Sequence, residues 1–177
     1  MSVPLIITFV GPDRAGLVSA VSDVVAAHGG AWLESRLARL AGQFAGIVRA
    51  DAPGAEAEAL EAALQRIAGL SVTVTRGATE EARKRRLRLD LLGLDRPGIV
   101  RDATRALAAL GVNIAEFESD LRPAPFSGDP MFHARAVLEA PEDVSLDTVR
   151  DALEGLAGEL TAEFPGGEAS LKVAATD

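Results

Sequence analysis

The sequence predicts an α+β protein built from two copies of one unit, each with the order strand, helix, strand, strand, helix, strand. The first observation is an internal repeat, in which Gly-Pro-Asp-Arg-Ala-Gly-Leu-Val at 11–18 returns 82 positions later as Gly-Leu-Asp-Arg-Pro-Gly-Ile-Val at 93–100. The second is that each copy passes at this motif from an apolar alternation of period two to a helical period of 3.6. Two similar domains of roughly 80 residues each therefore account for the chain.

Each element of the first copy follows from its residue pattern. The β-branched run Ser71 to Thr75 favours a strand, whereas Ala55 to Ile67 has leucines on one helical face and glutamates near its start, as in an amphipathic helix. A turn at Ala41-Gly42-Gln43 joins two extended stretches into a hairpin. We expect strands at 3–10, 31–40, 44–50 and 71–75, and helices at 15–28 and 55–67.

The second copy repeats this order. Leu87, Leu89 and Leu91 alternate with charged residues before the motif, and Pro97 has the fixed φ that suits the first position of a helix. We expect strands near 86–92, 113–121, 130–139 and 159–164, and helices near 97–110 and 146–157. The domains are then 1–79 and 86–165, with a linker at 80–85 and a C-terminal tail at 166–177.

The hairpin of the second copy is six residues longer than that of the first, because the repeat spacing rises from 82 to 88 between the motif and Phe132, which matches Phe44. The longer loop, 122–130, contains three prolines and Phe126. An ordinary surface loop and a lid or partner-docking loop explain it equally well.

We expect the two sheets to lie side by side as one larger sheet, with all four helices on one face. The second strand of each copy lies at a sheet edge in this topology, and Leu33, Leu37 and Ile114 give these strands an apolar character that an exposed edge avoids. The predicted fold class is therefore two ferredoxin-like βαββαβ units in a side-by-side arrangement.

Composition narrows the range of functions. The formal net charge of −8 disfavours direct nucleic-acid binding, and a solvated linker and strand start explain the basic run Arg83 to Arg88. The absence of Cys excludes disulfides and thiolate metal sites, and we expect no metal or cofactor. No apolar segment reaches the ~18 residues of a membrane span, and no secretory leader is evident, so we expect a cytoplasmic protein without a membrane partner.

The chain is poorly equipped for catalysis. His28 and His133 lie in different copies, where a packed or surface position explains each better than a role as base or metal ligand. No P-loop, Asp-rich metal loop or Gly-x-Ser-x-Gly turn is present. Asp13 and Asp95 are expected to fix their loops by accepting nearby amide hydrogens rather than to act as acids or bases. We therefore expect neither enzyme activity nor catalytic residues.

Two ferredoxin-like units that each begin with Gly-x-Asp-Arg-x-Gly and an apolar pair resemble tandem ACT domains, the regulatory modules that bind small molecules, often amino acids. Two further stretches, Trp32 to Leu40 and Pro123 to Pro130, resemble the glycine cleavage system transcriptional repressor group within that superfamily. The resemblance covers almost the whole chain. It implies a regulator of transcription or metabolism that acts through a protein partner and has no DNA-binding motif of its own.

The resemblance also implies where a ligand binds, namely where the first loop of one unit faces the start of the second strand in its neighbour. The first implied site joins Gly11, Asp13, Arg14 and Gly16 to Asn113 and Ile114. The second possible site joins Gly93, Asp95, Arg96 and Gly98 to Ala31 and Trp32. The sites are unequal, because Asn113 offers a donor and an acceptor to an amino acid, whereas Ala31 offers only its backbone.

The leading hypothesis is an amino-acid-responsive regulatory protein that binds a small amino acid, such as glycine or serine, between the loop 11–16 and Asn113. Two alternatives stay open. One is a ligand-free ACT module for partner binding or homodimerisation, whose pocket is filled by its own side chains. Trp32 suits core or interface packing as well as a ligand platform. The other alternative is an accessory regulatory subunit of an enzyme.

Overall fold

The computed structural model describes residues 1–77, 85–124, 128–156 and 160–165. The chain divides into two compact units, Met1–Glu81 and Ala82–Asp177, which are called unit 1 and unit 2 below. Unit 1 contains β1 (Ser2–Pro12), α1 (Leu17–Ala27), β2 (Ala31–Leu40), β3 (Gln43–Pro53), α2 (Ala57–Leu64) and β4 (Ser71–Arg76). Unit 2 contains β5 (Arg85–Leu94), α3 (Ile99–Ala109), β6 (Asn113–Pro123), β7 (Pro130–Ala140), α4 (Leu146–Glu154) and β8 (Thr161–Glu163).

Each unit has a four-stranded antiparallel sheet, with strand order β2-β3-β1-β4 in unit 1 and β6-β7-β5-β8 in unit 2. The predicted βαββαβ fold is therefore confirmed for both units. The side-by-side arrangement of the two sheets stays a prediction. Phe126 of the long loop, residues 78–84 and the tail 166–177 lie outside the described residues.

Alternate residues of the first strand in each unit are buried together with one face of each helix. In unit 1 the core contains Leu5, Ile7 and Phe9 of β1 with Leu17, Val21, Val25, Leu60 and Leu64 of the two helices. In unit 2 it contains Leu87, Leu89 and Leu91 of β5 with Ile99, Leu107, Val149 and Leu153. Burying each such side chain stabilises the fold by about 1.5–3 kcal/mol, so a shift in register by one residue would be costly.

The helices α1 and α3 start two residues later than the sequence predicts. They begin at Leu17 and Ile99, after Gly16 and Gly98, whose φ angles are 87° and 85°. Glycine adopts this left-handed conformation readily, but a right-handed helix cannot continue through it. Pro97 therefore precedes the helix cap, and the prediction that it is the first helical residue is wrong.

The helix α2 is shorter than the predicted segment 55–67. Beyond Leu64 the amide of Arg66 donates to the carbonyl oxygen of Ala63 at 3.2 Å, and that of Ile67 donates to Leu64 at 3.1 Å. These are the tighter i→i+3 bonds with which a helix commonly ends. The amphipathic pattern continues through this turn, which is why it does not mark the end of the helix.

A β-bulge interrupts β2 and β6 soon after each strand begins. The pairing register shifts between Trp32 and Glu34 in β2, and between Ile114 and Glu116 in β6. Simple alternation is therefore broken in β2: after the partly buried Trp32 both Leu33 and Glu34 are exposed, and Ser35 is the next partly buried residue. Bulges re-aim side chains, and both lie beside residues that the sequence predicts to contact a ligand.

Candidate functional site

Backbone contacts on two sides hold the loop between β1 and α1. Gly11 is buried, and a Cβ atom on it would collide with the carbonyl oxygen of Gly69. The amide of Asp13 donates to the carbonyl oxygen of Gly42 at 2.9 Å, which ties the loop to the β2–β3 turn. These two contacts fix the position of the loop in unit 1.

The side chains of the Asp-Arg pair in this loop contact protein groups. The carboxylate of Asp13 lies 3.4 Å from the guanidinium of Arg39. Nη2 of Arg14 donates to the carbonyl oxygen of Ala68 at 2.8 Å. The structure therefore replaces the expected contacts of Asp13 with amide hydrogens by an ion pair to Arg39 of β2.

The start of α1 leaves three backbone amides outside the helical hydrogen-bond pattern. The first helical hydrogen bond runs from the amide of Ala20 to the carbonyl oxygen of Gly16, at 2.9 Å. The amides of Leu17, Val18 and Ser19 precede it, and Gly16 has no side chain to cap them. The helix dipole adds partial positive charge at this end. Such a helix start attracts small anions, including carboxylates.

A concavity of about 320 Å³ lies at this helix start. Part of its wall is apolar, because Phe44 of β3 lines it and is stacked on Phe9 of β1 with 6.0 Å between the ring centroids. The volume is at the small end of the range for ligand sites, so a ligand of few atoms fits. The lining residues are Asp13, Arg14, Gly16, Leu17, Val18, Ser19 and Phe44.

Three predicted residues of the first site, Asp13, Arg14 and Gly16, line this concavity together. Gly11 does not line it and instead allows close approach of the backbone around Gly69. Val18, Ser19 and Phe44 also line the concavity, and sequence reasoning did not name them as site residues. Strand pairing could have found Phe44, because β3 places it directly opposite Gly11.

The loop between β5 and α3 has the same backbone plan. Gly93 is buried on β5, and Gly98 again ends the loop in the left-handed conformation, without a side-chain cap. The amide of Asp95 donates to the carbonyl oxygen of Pro130 at 3.0 Å, as that of Asp13 does to its own hairpin. The repeat in sequence is therefore a repeat in backbone structure.

The side chains at this second loop are arranged differently. Nη1 of Arg96 donates to Oδ2 of Asp102 at 2.7 Å, and Nε of Arg101 donates to Oδ1 of the same carboxylate at 3.0 Å. The hydrogen bond from Arg96, followed by that from Arg101, lowers the pKa of Asp102 from its ordinary 3.8. A charged carboxylate of the protein itself thus lies in the first turn of α3.

The predicted partner residues lie at the starts of β6 and β2. Asn113 is exposed, and its Nδ2 donates to Oε2 of Glu139 at 3.4 Å, while Ile114 packs partly buried on the core of unit 2. Ala31 is exposed, and Trp32 packs on the core of unit 1. Each predicted site combines residues of both units, and both sites stay predictions.

Both histidines are paired with carboxylates. Nδ1 of His28, at the end of α1, lies 3.1 Å from Oε2 of Glu56. His133 lies between two carboxylates, with Nε2 3.4 Å from Asp90 and Nδ1 3.5 Å from Asp120. Within the described ranges, no group of three or more His, Asp or Glu side chains is arranged to hold a metal ion. Nor does the part of the chain that the structure describes contain a helix long and apolar enough to cross a membrane.

Comparison with known proteins assigns the class. Residues 3–75 match the ACT domain family. An unknown protein from Galdieria sulphuraria is 27% identical, with 93% of this chain and 99% of that chain covered and a TM-score of 0.81. A candidate glycine cleavage system transcriptional repressor is 18% identical, with 93% and 98% covered and a TM-score of 0.68, a likeness that shows the fold alone. No curated protein sequence matches the chain significantly.

Unit 1 is therefore an ACT domain, and unit 2 repeats its element order and strand order. The structure thus has two βαββαβ units of ACT type in tandem, as the sequence resemblance indicates, and the family match itself covers the first of them. ACT domains are regulatory modules that commonly bind small ligands.

Proposed function

We propose that this protein is an amino-acid-responsive regulator that binds a small amino acid, such as glycine or serine, at the β1–α1 loop. The observation that carries the proposal is the open concavity of about 320 Å³ beside the uncapped amides of Leu17, Val18 and Ser19. The regulator acts on transcription or metabolism through a protein partner and has no catalytic role. The candidate repressor of the same fold supports this reading by analogy of fold only.

The chemistry of the loop suits an α-amino acid. The amides at the start of α1 receive the carboxylate, and Gly16 lets the backbone come close to it. Val18 and Phe44 line the concavity, whose volume of about 320 Å³ suits a small ligand. Asn113, with Ile114 beside it, completes the proposed site from unit 2 by pairing with the amine. Its truncation to alanine should weaken binding by about 1–3 kcal/mol.

The affinity should be modest. Even at a ceiling of about −1.5 kcal/mol per non-hydrogen atom, a ligand of about five such atoms reaches only roughly −7.5 kcal/mol, which corresponds to a micromolar dissociation constant at best. A sensor of a metabolite present at micromolar to millimolar concentration needs no tighter binding.

Thermal melting against the common amino acids, followed by calorimetric titration of any hit, tests the proposal. A ligand that binds only the native state must raise the melting midpoint. Val18→Phe should fill the concavity and abolish the shift. Val100→Phe is the matched control, because Val100 occupies the equivalent position of α3 and both valines are 39% exposed. If no amino acid raises the midpoint, or if Val100→Phe abolishes the effect while Val18→Phe does not, the proposed site is wrong.

A second candidate function, a ligand-free interaction module, is favoured by the apolar edge strands. On β2, Leu33 and Leu40 are 49% and 80% exposed, and on β6 Leu121 is 60% exposed. A long, apolar edge strand is a template for pairing with another strand, so it is usually covered. The side-by-side packing of the two sheets, a homodimer, or docking on an enzyme as an accessory subunit would each cover such edges.

The sheet-packing proposal has its own test. Residues 1–79 and 85–177, produced separately, should each be less stable than the full chain or should self-associate. Two stable monomers with the melting midpoints of the full chain would show that neither edge needs a partner.

A further inference from the structure

The two loops share their motif but differ in the two residues that follow it. Position 101 is arginine where unit 1 has Ser19, and position 102 is aspartate where unit 1 has Ala20, at the constant repeat spacing of 82. Arg14 of the first loop donates to the carbonyl oxygen of Ala68 rather than to a residue of α1. Arg96, the equivalent residue of unit 2, donates to the carboxylate of Asp102 instead.

Both oxygens of the Asp102 carboxylate are occupied by guanidinium groups. Arg96 donates to Oδ2 at 2.7 Å, and Arg101 donates to Oδ1 at 3.0 Å. The side chains of Arg96 and Asp102 are only 26% and 24% exposed, so the pair is partly shielded from water. Charge-assisted bonds of this kind are among the stronger hydrogen bonds in proteins.

The same cluster covers the left-handed glycine that starts α3. Nη2 of Arg101 lies 2.9 Å from the point where a Cβ atom on Gly98 would stand. At Gly16 the corresponding point has no atom within 4 Å. The face of the first glycine is thus open, whereas that of the second is covered by a side chain of its own helix.

We infer that Asp102, clamped by Arg96 and Arg101, occupies the unit 2 loop as a built-in substitute for a ligand carboxylate, so that the chain binds one amino acid, at the unit 1 loop. The inference rests on the proposed function for its ligand class. An incoming carboxylate at the second loop meets a negative charge of the protein, and both guanidinium groups that could attract it are already engaged. At the first loop no acidic residue lies in the first turn of α1, and the nearby carboxylate of Asp13 is paired with Arg39. Arg14 is engaged there too, but no side chain covers Gly16.

Exchange of these two residues between the units tests the inference. Arg101→Ser with Asp102→Ala gives unit 2 the residues of unit 1, and Ser19→Arg with Ala20→Asp does the reverse. Titration with glycine and with L-serine, followed by amide NMR of the full chain, should perturb residues 17–19 but not 99–101 in the unaltered protein. The first exchange should add perturbations at 99–101, and the second should weaken binding at 17–19 at least tenfold. If the double variant in unit 2 does not fold, Asp102→Asn replaces it, because this substitution keeps the shape of the side chain and removes its charge.

A separate titration with sodium acetate tests the inference even if no amino acid binds. It should perturb the amides 17–19 of the unaltered protein, and those at 99–101 only after the exchange in unit 2. If glycine or serine binds both loops of the unaltered chain, the inference is overturned and the proposed function stands. If neither amino acid binds, the proposed function fails, and the acetate pattern still decides the inference. If acetate leaves the amide signals of residues 99–101 unchanged both in the double variant Arg101→Ser with Asp102→Ala and in Asp102→Asn, the inference is overturned.

Discussion

Gly11→Ala should destabilise unit 1 by packing alone. Gly11 lies in β1, outside the left-handed region of backbone conformation, so alanine is not strained there by its φ angle. The added Cβ atom would nevertheless collide with the carbonyl oxygen of Gly69 and stand 3.0 Å from Cδ2 of Leu70. Overpacking costs typically about 1–3 kcal/mol, and the upper end applies because a backbone carbonyl cannot swing away as a side chain can.

Gly16→Ala should lower the free energy of unfolding of unit 1 by less than Gly11→Ala does, and for a different physical reason. A Cβ atom at Gly16 would meet no atom within 4 Å, but the residue has a φ of 87°. Holding an L-residue in this conformation costs roughly 1–2 kcal/mol. Valine at this position adds β-branching to the same strain, so alanine is the cleaner variant for separating backbone strain from contact with a ligand.

Thermal melting and urea unfolding of the full chain measure both effects. A loss of 1 kcal/mol lowers the midpoint of a small domain by about 4–8 °C. Gly11→Ala, at about 3 kcal/mol, should therefore lower the unit 1 transition by about 12–24 °C, and Gly16→Ala, at about 1–2 kcal/mol, by about 4–16 °C. Gly54→Ala is the control, because its Cβ atom would meet its nearest neighbours at 3.4 Å without a positive φ. If Gly11→Ala melts within the range of this control, the close approach to Gly69 does not hold in solution.

Three further predictions follow from burial and charge. Leu60→Ala should cost about 2–5 kcal/mol in urea unfolding, because Leu60 is fully buried, whereas Ile47→Ala, at a site 46% exposed, should stay within about 0.5 kcal/mol of the unaltered protein. Arg96 and Arg101 lower the pKa of Asp102 below 3.8, so the charged carboxylate stabilises the fold above that pH. The unaltered protein should therefore be more stable than Asp102→Asn at neutral pH, and this difference should vanish in acid. A difference that stays constant with pH would contradict the ion-pair assignment. The purified protein should not bind duplex DNA selectively at physiological salt in a mobility-shift assay, because its net charge is −8; selective binding that survives competitor DNA would refute this.

The fold could be predicted from the sequence because its strongest signals are periodic and occur twice. Leu5, Ile7 and Phe9 in one copy and their leucine counterparts in the other are fully buried, and burial enforces the same period of two that the sequence displays. The helix faces follow in the same way. Agreement between two independent copies made the unit order clear even where a single short segment would have been ambiguous.

Details that depend on one dihedral angle were not predictable from pattern. The fixed φ of Pro97 is compatible with a helix, but the next residue adopts a φ of 85°, and only the three-dimensional path of the loop decides that. The bulge after Trp32 could not be predicted from the pattern either. An inserted residue changes the face on which every later side chain lies, but it leaves the local composition unchanged. Sequence alternation therefore does not show which residues of β2 after Leu33 share a face with Trp32.

The loop residues of the candidate site could be predicted from the sequence, but Phe44 in its wall could not. Asp13, Arg14 and Gly16 belong to one contiguous motif, so they were found together. Phe44 lies far along the chain and reaches the loop only through the pairing of β3 with β1. Residues brought together by strand pairing leave no contiguous signal, and a motif search cannot recover them.

The unequal chemistry of the two loops shows why a repeated motif is weak evidence for a repeated site. Both loops place a left-handed glycine before a helix and tie their Asp amide to the following hairpin, so the motif determines the backbone. The side chains that decide whether a carboxylate can bind lie just beyond the motif, at Ser19 and Ala20 in one copy and at Arg101 and Asp102 in the other. The motif ends at Val18 and Val100, so it does not contain the residues in which the two loops differ most. Their difference becomes visible only when the hydrogen-bond partners of the two arginines are compared. Arg14 donates to the carbonyl oxygen of Ala68, whereas Arg96 donates to the carboxylate of Asp102 in the first turn of α3.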